Sequence, residues 1–500
     1  MRSVLARRLA VRPGRGLACR PAPTASRSNT SCRCQSTYNH FVGQDAPRTP
    51  EASSGFTLAV KDNIATADLP TQCASRILAG HQSPFEATIV RQLRERGAFV
   101  VGKTNMDEFG MGSHSTNSSH GPVRNPLSDD VAAGGSSGGS AVAVQLGDAE
   151  MAIGTDTGGS IRLPAAYTGT VGYKPSYGMI SRFGVVPYAN SLDTVGVIAK
   201  DAESIRSLVF DTGIHKENDP NDPTSLPTAS RERCSAAVRR QPFDLSGLTI
   251  GIPLEYNIQE LDPSIREAWD SAARTLQKQG AQVVPVSLPT TTEALCAYYV
   301  LAPAEASSNL AKYDGVRYGA RSEERDGPGE PLYSRTRGAG FGDEVKRRIL
   351  LGTYSLSSEA MDNYFIQAQK VRRLVQRDFD RVFRAENPLQ DPRQFDLSDM
   401  AEATGMADKH GPVQVDFLLS PTAPTFPPKL SELRGQSSVD AFMNDVFTVP
   451  ASLAGLPAVS IPAPVEGSVF PAGLQLIGQY WNDERMLVVA EKLQRLLSQK

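Results

Sequence analysis

Long apolar runs are missing from this chain of 500 residues. None approaches the roughly 18–20 residues that a membrane-crossing helix needs, so no spanning segment organises the chain and no membrane partner is expected. Cysteine is equally thin: there are six, and Cys19, Cys32 and Cys34 crowd the N-terminus. The other three, Cys73, Cys234 and Cys296, are too widely spaced for a disulfide framework or a zinc pattern, which suits a reducing compartment. Acidic residues are absent from positions 1–44, which carry eight arginines and no lysine. Without them the chain holds 44 basic against 54 acidic residues. An acidic body of that kind lacks the lysine and arginine clusters that strong, direct nucleic-acid binding requires.

The acid-free, Arg- and Ser-rich segment 1–44 has the composition of a mitochondrial transit peptide, disordered or cleaved. MRSVLARRLAVR sets Val4, Leu5 and Leu9 against Arg2, Arg7, Arg8 and Arg12, a short amphipathic helix by spacing. A matrix location follows as an expectation, with residues 45–500 as one catalytic domain. The cleavage neighbourhood is RCQS at 33–36.

Beyond residue 54 the pattern alternates between strand and helix. In GFTLAVKDNI, Phe56, Leu58 and Val60 alternate with Thr57, Ala59 and Lys61, which predicts a strand with Lys61 on the opposite face from those three apolar side chains. ATIVRQLRERG reads as a helix closed by Gly97, followed by the strand AFVVG. A helix over 265–279 stopped by Gly280, the strands QVVPVSL, DFLLSP, PAVSIP and LQLIG, and a terminal helix over 483–497 continue the alternation. This predicts an α/β fold whose sheet is covered by helices on both faces. The polar, proline-bearing stretches 215–235 and 320–340 read as loops at the edge of the core.

Two motifs mislead. GAFVVGKT at 97–104 matches the phosphate-loop pattern letter for letter, yet a helix precedes Gly97 and a strand occupies the place of the cradle. GGSSG at 134–138 matches the nucleophile elbow of serine hydrolases, but only His215 and His410 lie downstream and neither has a catalytic setting. A serine can instead be activated by a neutral lysine, which needs burial to titrate near neutrality. Lys61, Lys103 and Lys174 all qualify by position, and composition does not choose among them.

KDNI (61–64), GGSSGGSAVAV (134–144) and GTDTGGSIRLPAAYTGTVGYKPSYG (154–178) resemble the amidase signature family, with 75 residues from Lys61 to Ser136 and 24 from Ser136 to Ser160. Further stretches, among them GKTNMDEFGMGS (102–113) and MNDVFTVPASLAGLPAVSIP (443–462), are similar to its glutamine-dependent amidotransferase branch. The likeness runs over roughly 56–498 and implies one large domain on a mixed, twisted sheet. It also implies a Ser–cisSer–Lys triad: Ser160 as acyl-forming nucleophile, Ser136 as bridging serine after a cis peptide bond, and Lys61 as base. Thr157, Gly158, Gly159 and Ser160 would supply oxyanion-hole N–H groups. Arg348 would pair with the α-carboxylate of glutamine and Asp445 with its α-ammonium, and Tyr298 is a third candidate. The competing reading makes Arg348 and Asp445 solvated or capping charges.

In that branch the chain itself needs no cofactor and no metal. A kinase/transamidase B subunit would hold ATP and Mg2+, a small third subunit would complete the complex, and Glu-tRNA(Gln) would be reached mainly through the partner. A stand-alone amidase acting on another amide is the alternative; a silent scaffold or a nucleotide-binding module would leave Lys61, Ser136 and Ser160 without a role. The likeness departs ahead of KDNI, where bacterial-type members carry N-terminal helices that are expected here to be absent or drastically shortened.

Overall fold

The computed structural model describes residues 37–42, 55–238, 244–324, 326–389, 414–433, 435 and 442–499. Residues 1–36 and 43–54, which carry most of the expected leader and the site of the departure ahead of KDNI, lie outside them, as does His410.

Strand β1 (Phe56–Lys61) lies between β2 (Ala98–Thr104) and β5 (Met151–Asp156), parallel to both. Helix α1 (Thr88–Glu95) buries Ile89, Val90 and Leu93 and stops where Gly97 takes a φ of 91°, a left-handed turn natural to glycine. The segment that mimics a phosphate loop is therefore a helix stop running into a strand. The sheet continues through β7 (Thr194–Ala199), β6 (Val171–Lys174), β11 (Ala458–Ala463), β12 (Ala472–Gly478), β10 (Phe417–Pro421), β8 (Thr249–Pro253) and β9 (Gln282–Val286). Its middle pairings are antiparallel and its ends parallel, so the ten-stranded sheet is mixed. A small hairpin, β3 (Arg124–Asn125) and β4 (Ser128–Ala132), stands apart.

Helices cover both faces. Leu58 and Val60 of β1 join the large core with Ile265, Leu276, Leu487 and Leu493 of the 263–278 and 483–498 helices. Ala59 packs into a separate cluster with Ala141, Ala143 and Val144 of α2 (Gly138–Leu146), the helix that covers the opposite face. Period-two alternation therefore sends Lys61 toward α2, as the strand pattern predicts. Helix α3 (Arg162–Thr168) packs beside α2.

Two stretches expected as loops contain helices, Thr228–Ala237 and Ser334–Gly340. The first is held by Arg231, which donates to the carbonyls of Gly178, Met179, His215 and Leu226. A tertiary anchor of this kind overrides weak local propensity.

Residues 37–42, at the end of the expected leader, are built into the body. Phe41 bridges to Thr104, Val42 donates its N–H to Lys103, and the Asn39 amide reaches the carbonyls of His120, Gly121 and Pro122. His40 is buried with Nε2 2.8 Å from Asp148. Residues 38–42 are therefore part of the packed body.

Candidate active site

Three buried lysines compete for the role of base, and their surroundings separate them. Lys103 donates to the Ile64 carbonyl and the Thr71 hydroxyl, and Lys174 to the Pro175 carbonyl. Lys61 alone of the three reaches serines: its Nζ is 2.8 Å from Ser136 Oγ and 2.8 Å from Ser137 Oγ, and it also contacts Thr155 Oγ1 at 3.0 Å and the Thr155 carbonyl at 3.3 Å. Burial pushes Lys61 down from 10.5 to about 7, against the upward pull of Asp107, Asp156 and Asp193. A lysine at that value is substantially neutral at physiological pH and able to accept a proton.

The two glycine-serine loops meet behind this lysine. Ser136 follows the peptide bond Gly135–Ser136, which is cis. Ser137 opens α2, and its N–H donates to the carbonyl of Ser160, which tethers the first loop to the second. Glycine at 135 is a packing necessity: a Cβ there would lie 2.2 Å from Asp107 Oδ2. Asp107 in turn accepts from the N–H groups of Ser115, Thr116 and Asn117, so the 112–117 turn folds around the serine loop.

Strand β5 ends at Asp156 and the chain turns through 157–160 into α3. The turn is pinned on each side. The Thr157 hydroxyl donates to Asp193, the Thr448 hydroxyl donates to the Gly158 carbonyl at 2.6 Å, and Gly159 accepts from Leu163 N–H. Gly159 has a φ of 148° and no room for a Cβ, which would sit 2.3 Å from Thr448 Oγ1. Among the described residues, no protein group accepts from the N–H groups of Gly158, Gly159 or Ser160. Free N–H donors beside a serine are what a developing oxyanion needs. Beneath the turn, Arg162 and Asp156 form a fully buried bidentate pair, and Arg162 also donates to the Thr448 carbonyl, Gln475 and Ser452.

Arg348 and Asp445 are neither solvated nor capping. Arg348, on the 343–355 helix, is buried; its Nε donates to Glu344 at 2.7 Å and its Nη1 to the Tyr188 hydroxyl at 2.7 Å. Its guanidinium carbon lies 5.5 Å from the ring centre of Tyr299 and 5.7 Å from that of Phe442. Asp445 Oδ2 accepts from the Tyr299 hydroxyl at 2.8 Å and from Ser113 Oγ at 3.0 Å. Burial raises its pKa to about 6, opposed by those two hydrogen bonds and by Arg348. Tyr299 therefore joins the two charges, while its neighbour Tyr298 packs against Gly158 of the turn. Ser137, Thr155, Tyr299, Ser113, Glu344 and Thr448 were not singled out by sequence. Of these, Ser137 carried a signal, lying next to Ser136 in GGSSGGS, and so did Glu344, one helical turn before Arg348.

Among the described residues no group of three or more His, Cys, Asp or Glu side chains is arranged to hold a metal, and no helix is long and apolar enough to cross a membrane.

The profile of the amidase family matches residues 46–487. The chain is similar to the A subunit of mitochondrial glutamyl-tRNA(Gln) amidotransferase from Fusarium vanettenii, 76% identical over 459 residues that make up 91% of this chain and 90% of the relative. The corresponding Neurospora crassa protein is 55% identical over 95% of this chain and 97% of its own length. Among solved structures, the A subunit of glutamyl-tRNA(Gln) amidotransferase from Thermotoga maritima matches with a TM-score of 0.69 at 35% identity, covering 91% of this chain and 87% of that one.

Proposed function

This chain belongs to the amidase family, and from that premise we propose that it is the glutaminase subunit of a mitochondrial glutamyl-tRNA(Gln) amidotransferase. The observation that carries the substrate is the pair of buried opposite charges, Arg348 and Asp445, joined through Tyr299 and linked to the Gly158 turn by Tyr298 and Thr448. Free glutamine bears one charge of each sign on its α-carbon, and a small neutral amide bears neither. A planar guanidinium suits a carboxylate by bidentate pairing, and Asp445 suits an ammonium.

Ser160 attacks the side-chain carboxamide carbon. Its proton passes through Ser136 to neutral Lys61, and the oxyanion forms against the N–H groups of the 157–160 turn. Protonated Lys61 returns the proton through the same serine to the departing nitrogen. This leaves a γ-glutamyl ester on Ser160 and free ammonia. Water then attacks the ester by the same route and releases glutamate. The ammonia goes to a B subunit that activates Glu-tRNA(Gln) with ATP and Mg2+ and converts it to Gln-tRNA(Gln), with a small third subunit completing the assembly. The names of the relatives and the acid-free Arg-rich N-terminus support the mitochondrial setting, and we place the end of the leader ahead of Thr37 because Tyr38–Val42 are packed into the body.

Glutamate release from glutamine by the full chain with its B subunit, with and without Glu-tRNA(Gln) and ATP, tests this. Turnover abolished by Ser160→Ala and raised by the tRNA is expected. Ser160-dependent cleavage of neutral amides with no glutamine turnover would move the protein to the stand-alone amidases.

A further inference from the structure

The segment after Asp445 does more than carry a substrate-binding acid. Thr448 is fully buried, and its hydroxyl lies 2.6 Å from the Gly158 carbonyl and 3.1 Å from the carbonyl of Asp445. Its own carbonyl accepts from Arg162 Nη1 at 2.9 Å, and Arg162 holds Asp156 at the base of the same turn. In a trans peptide the C=O and the following N–H point in opposite directions. Anchoring the Gly158 carbonyl on one side therefore aims the Gly159 N–H to the other, and that N–H has no partner among the described residues. Without the anchor, a peptide whose second residue is a glycine at a φ of 148° is free to rotate.

We propose that Thr448 is a positioning residue for the oxyanion hole: its hydroxyl sets the orientation of the Gly158–Gly159 peptide and ties that peptide to the segment bearing Asp445. The proposal rests on the acyl-transfer reading above and adds a residue that touches neither substrate nor the reacting atoms. Its effect belongs to the transition state, because an oxyanion donor is worth most when charge develops on the carbonyl oxygen. Ground-state binding of glutamine, which uses Arg348 and Asp445, is left nearly intact.

The test is steady-state glutamine hydrolysis by the complex carrying Thr448→Val, Thr448→Ala or Thr448→Ser. The expected result is a kcat lowered about 10- to 100-fold in the Val and Ala variants, the scale at and below the loss of one oxyanion donor. KM stays within about threefold, and the Ser variant, which keeps the hydroxyl, retains parental kcat to the same factor. If Thr448→Val fails to fold, the Ala–Ser comparison isolates the hydroxyl by itself. An unchanged kcat in the Val or Ala variant overturns the proposal. So does a Ser variant as impaired as the Ala variant, which would make the methyl group the active part. A raised KM at unchanged kcat overturns it too, because Thr448 would then act only through Asp445. Failure of the glutamine reading shows separately: the parent complex would not hydrolyse glutamine, and the same three variants would be compared on whichever amide Ser160 does cleave.

Discussion

Two regions of the molecule meet at the proposed active site and are built on opposite plans. The chemical centre draws Lys61, Ser136, Ser137 and the 157–160 turn from about a hundred consecutive residues, and backbone geometry shapes it: a cis peptide, glycines with no room for a Cβ, and a turn with free N–H groups. The proposed recognition pocket draws Ser113, Tyr188, Tyr299, Arg348 and Asp445 from five segments, and side chains shape it: Arg348 is paired with Glu344 and flanked by aromatic rings, and Asp445 accepts from two hydroxyls. The first plan gives a reaction with almost no tolerance for side-chain volume. The second gives a selectivity that can be altered without touching the chemistry. Substitutions in the first region should therefore change kcat, and those in the second KM.

The largest effect belongs to Lys61. Lys61→Met removes the one of the three buried lysines that reaches the serines and should lower kcat by about 10⁴-fold or more, the scale for losing one member of a catalytic triad. The same variant should be more stable than the parent at neutral pH. A lysine whose pKa falls from 10.5 to about 7 on folding binds its proton more readily in the unfolded chain, so parental stability rises as pH climbs from 7 toward 10.5. The advantage of methionine is thus greatest below pH 7 and fades toward pH 10. Its upper bound is about 5 kcal/mol, less the hydrogen bonds lost. Melting temperatures across that range check the sign; an advantage that grows with pH would mean Lys61 is charged in the folded chain.

Second in size is the pocket. Arg348→Ala should raise KM for glutamine about 10- to 100-fold, as expected for a charge-assisted pair, while leaving hydrolysis of a small neutral amide unchanged. Equal loss on both substrates would dissolve the division between the regions. The two should also part in pH profiles. As pH falls through about 7, Lys61 takes up its proton and kcat declines; as pH falls through about 6, Asp445 is neutralised, its attraction for an ammonium is lost, and KM rises. A single pH midpoint for both parameters would assign them to one group.

This division also explains what could be read without coordinates. GGSSGGS and GTDTGGS stood out because glycine at close approaches leaves a local signature, and the alternation in FTLAVK put Lys61 on the face opposite Phe56, Leu58 and Val60, which is the α2 face. Choosing Lys61 over Lys103 and Lys174 needed either a family likeness or the fold, since all three are buried. Tyr299 and Ser113 were invisible: a tyrosine in a helix and a serine in a turn acquire meaning only through partners more than a hundred residues away. The helix over 228–237 was hidden for the same reason, its stability coming from the carbonyls that surround Arg231. Composition says nothing of packing, so the contacts that bind His40 into the body could not be read from it.

Residues 37–42, a strap laid across the body, supply the smallest effect and ask whether the chemical centre extends beyond its own motifs. The His40 carbonyl accepts from Asn105 N–H, the Asn105 carbonyl accepts from Gly139 N–H, and Gly139 lies three residues beyond Ser136 in the first turn of α2. A Cβ on Gly139 would lie 2.5 Å from the His40 oxygen and 2.4 Å from that of Asn105, so strap, Asn105 and serine loop are in direct contact. A chain starting at Gly43 loses these bonds; one starting at Thr37 keeps them. With several backbone hydrogen bonds lost at about 1 kcal/mol each and the apolar cluster around Val101 stripped of the Phe41 ring, the shorter chain should be about 2–4 kcal/mol less stable. If the strap buttresses the chemical centre, its kcat should also fall a few-fold while KM for glutamine holds, because the strap's hydrogen bonds run to Asn105 and, through it, to the serine loop. Equal melting temperatures for the two chains would make the strap an ornament of the surface, and a change confined to KM would attach it to the wrong region.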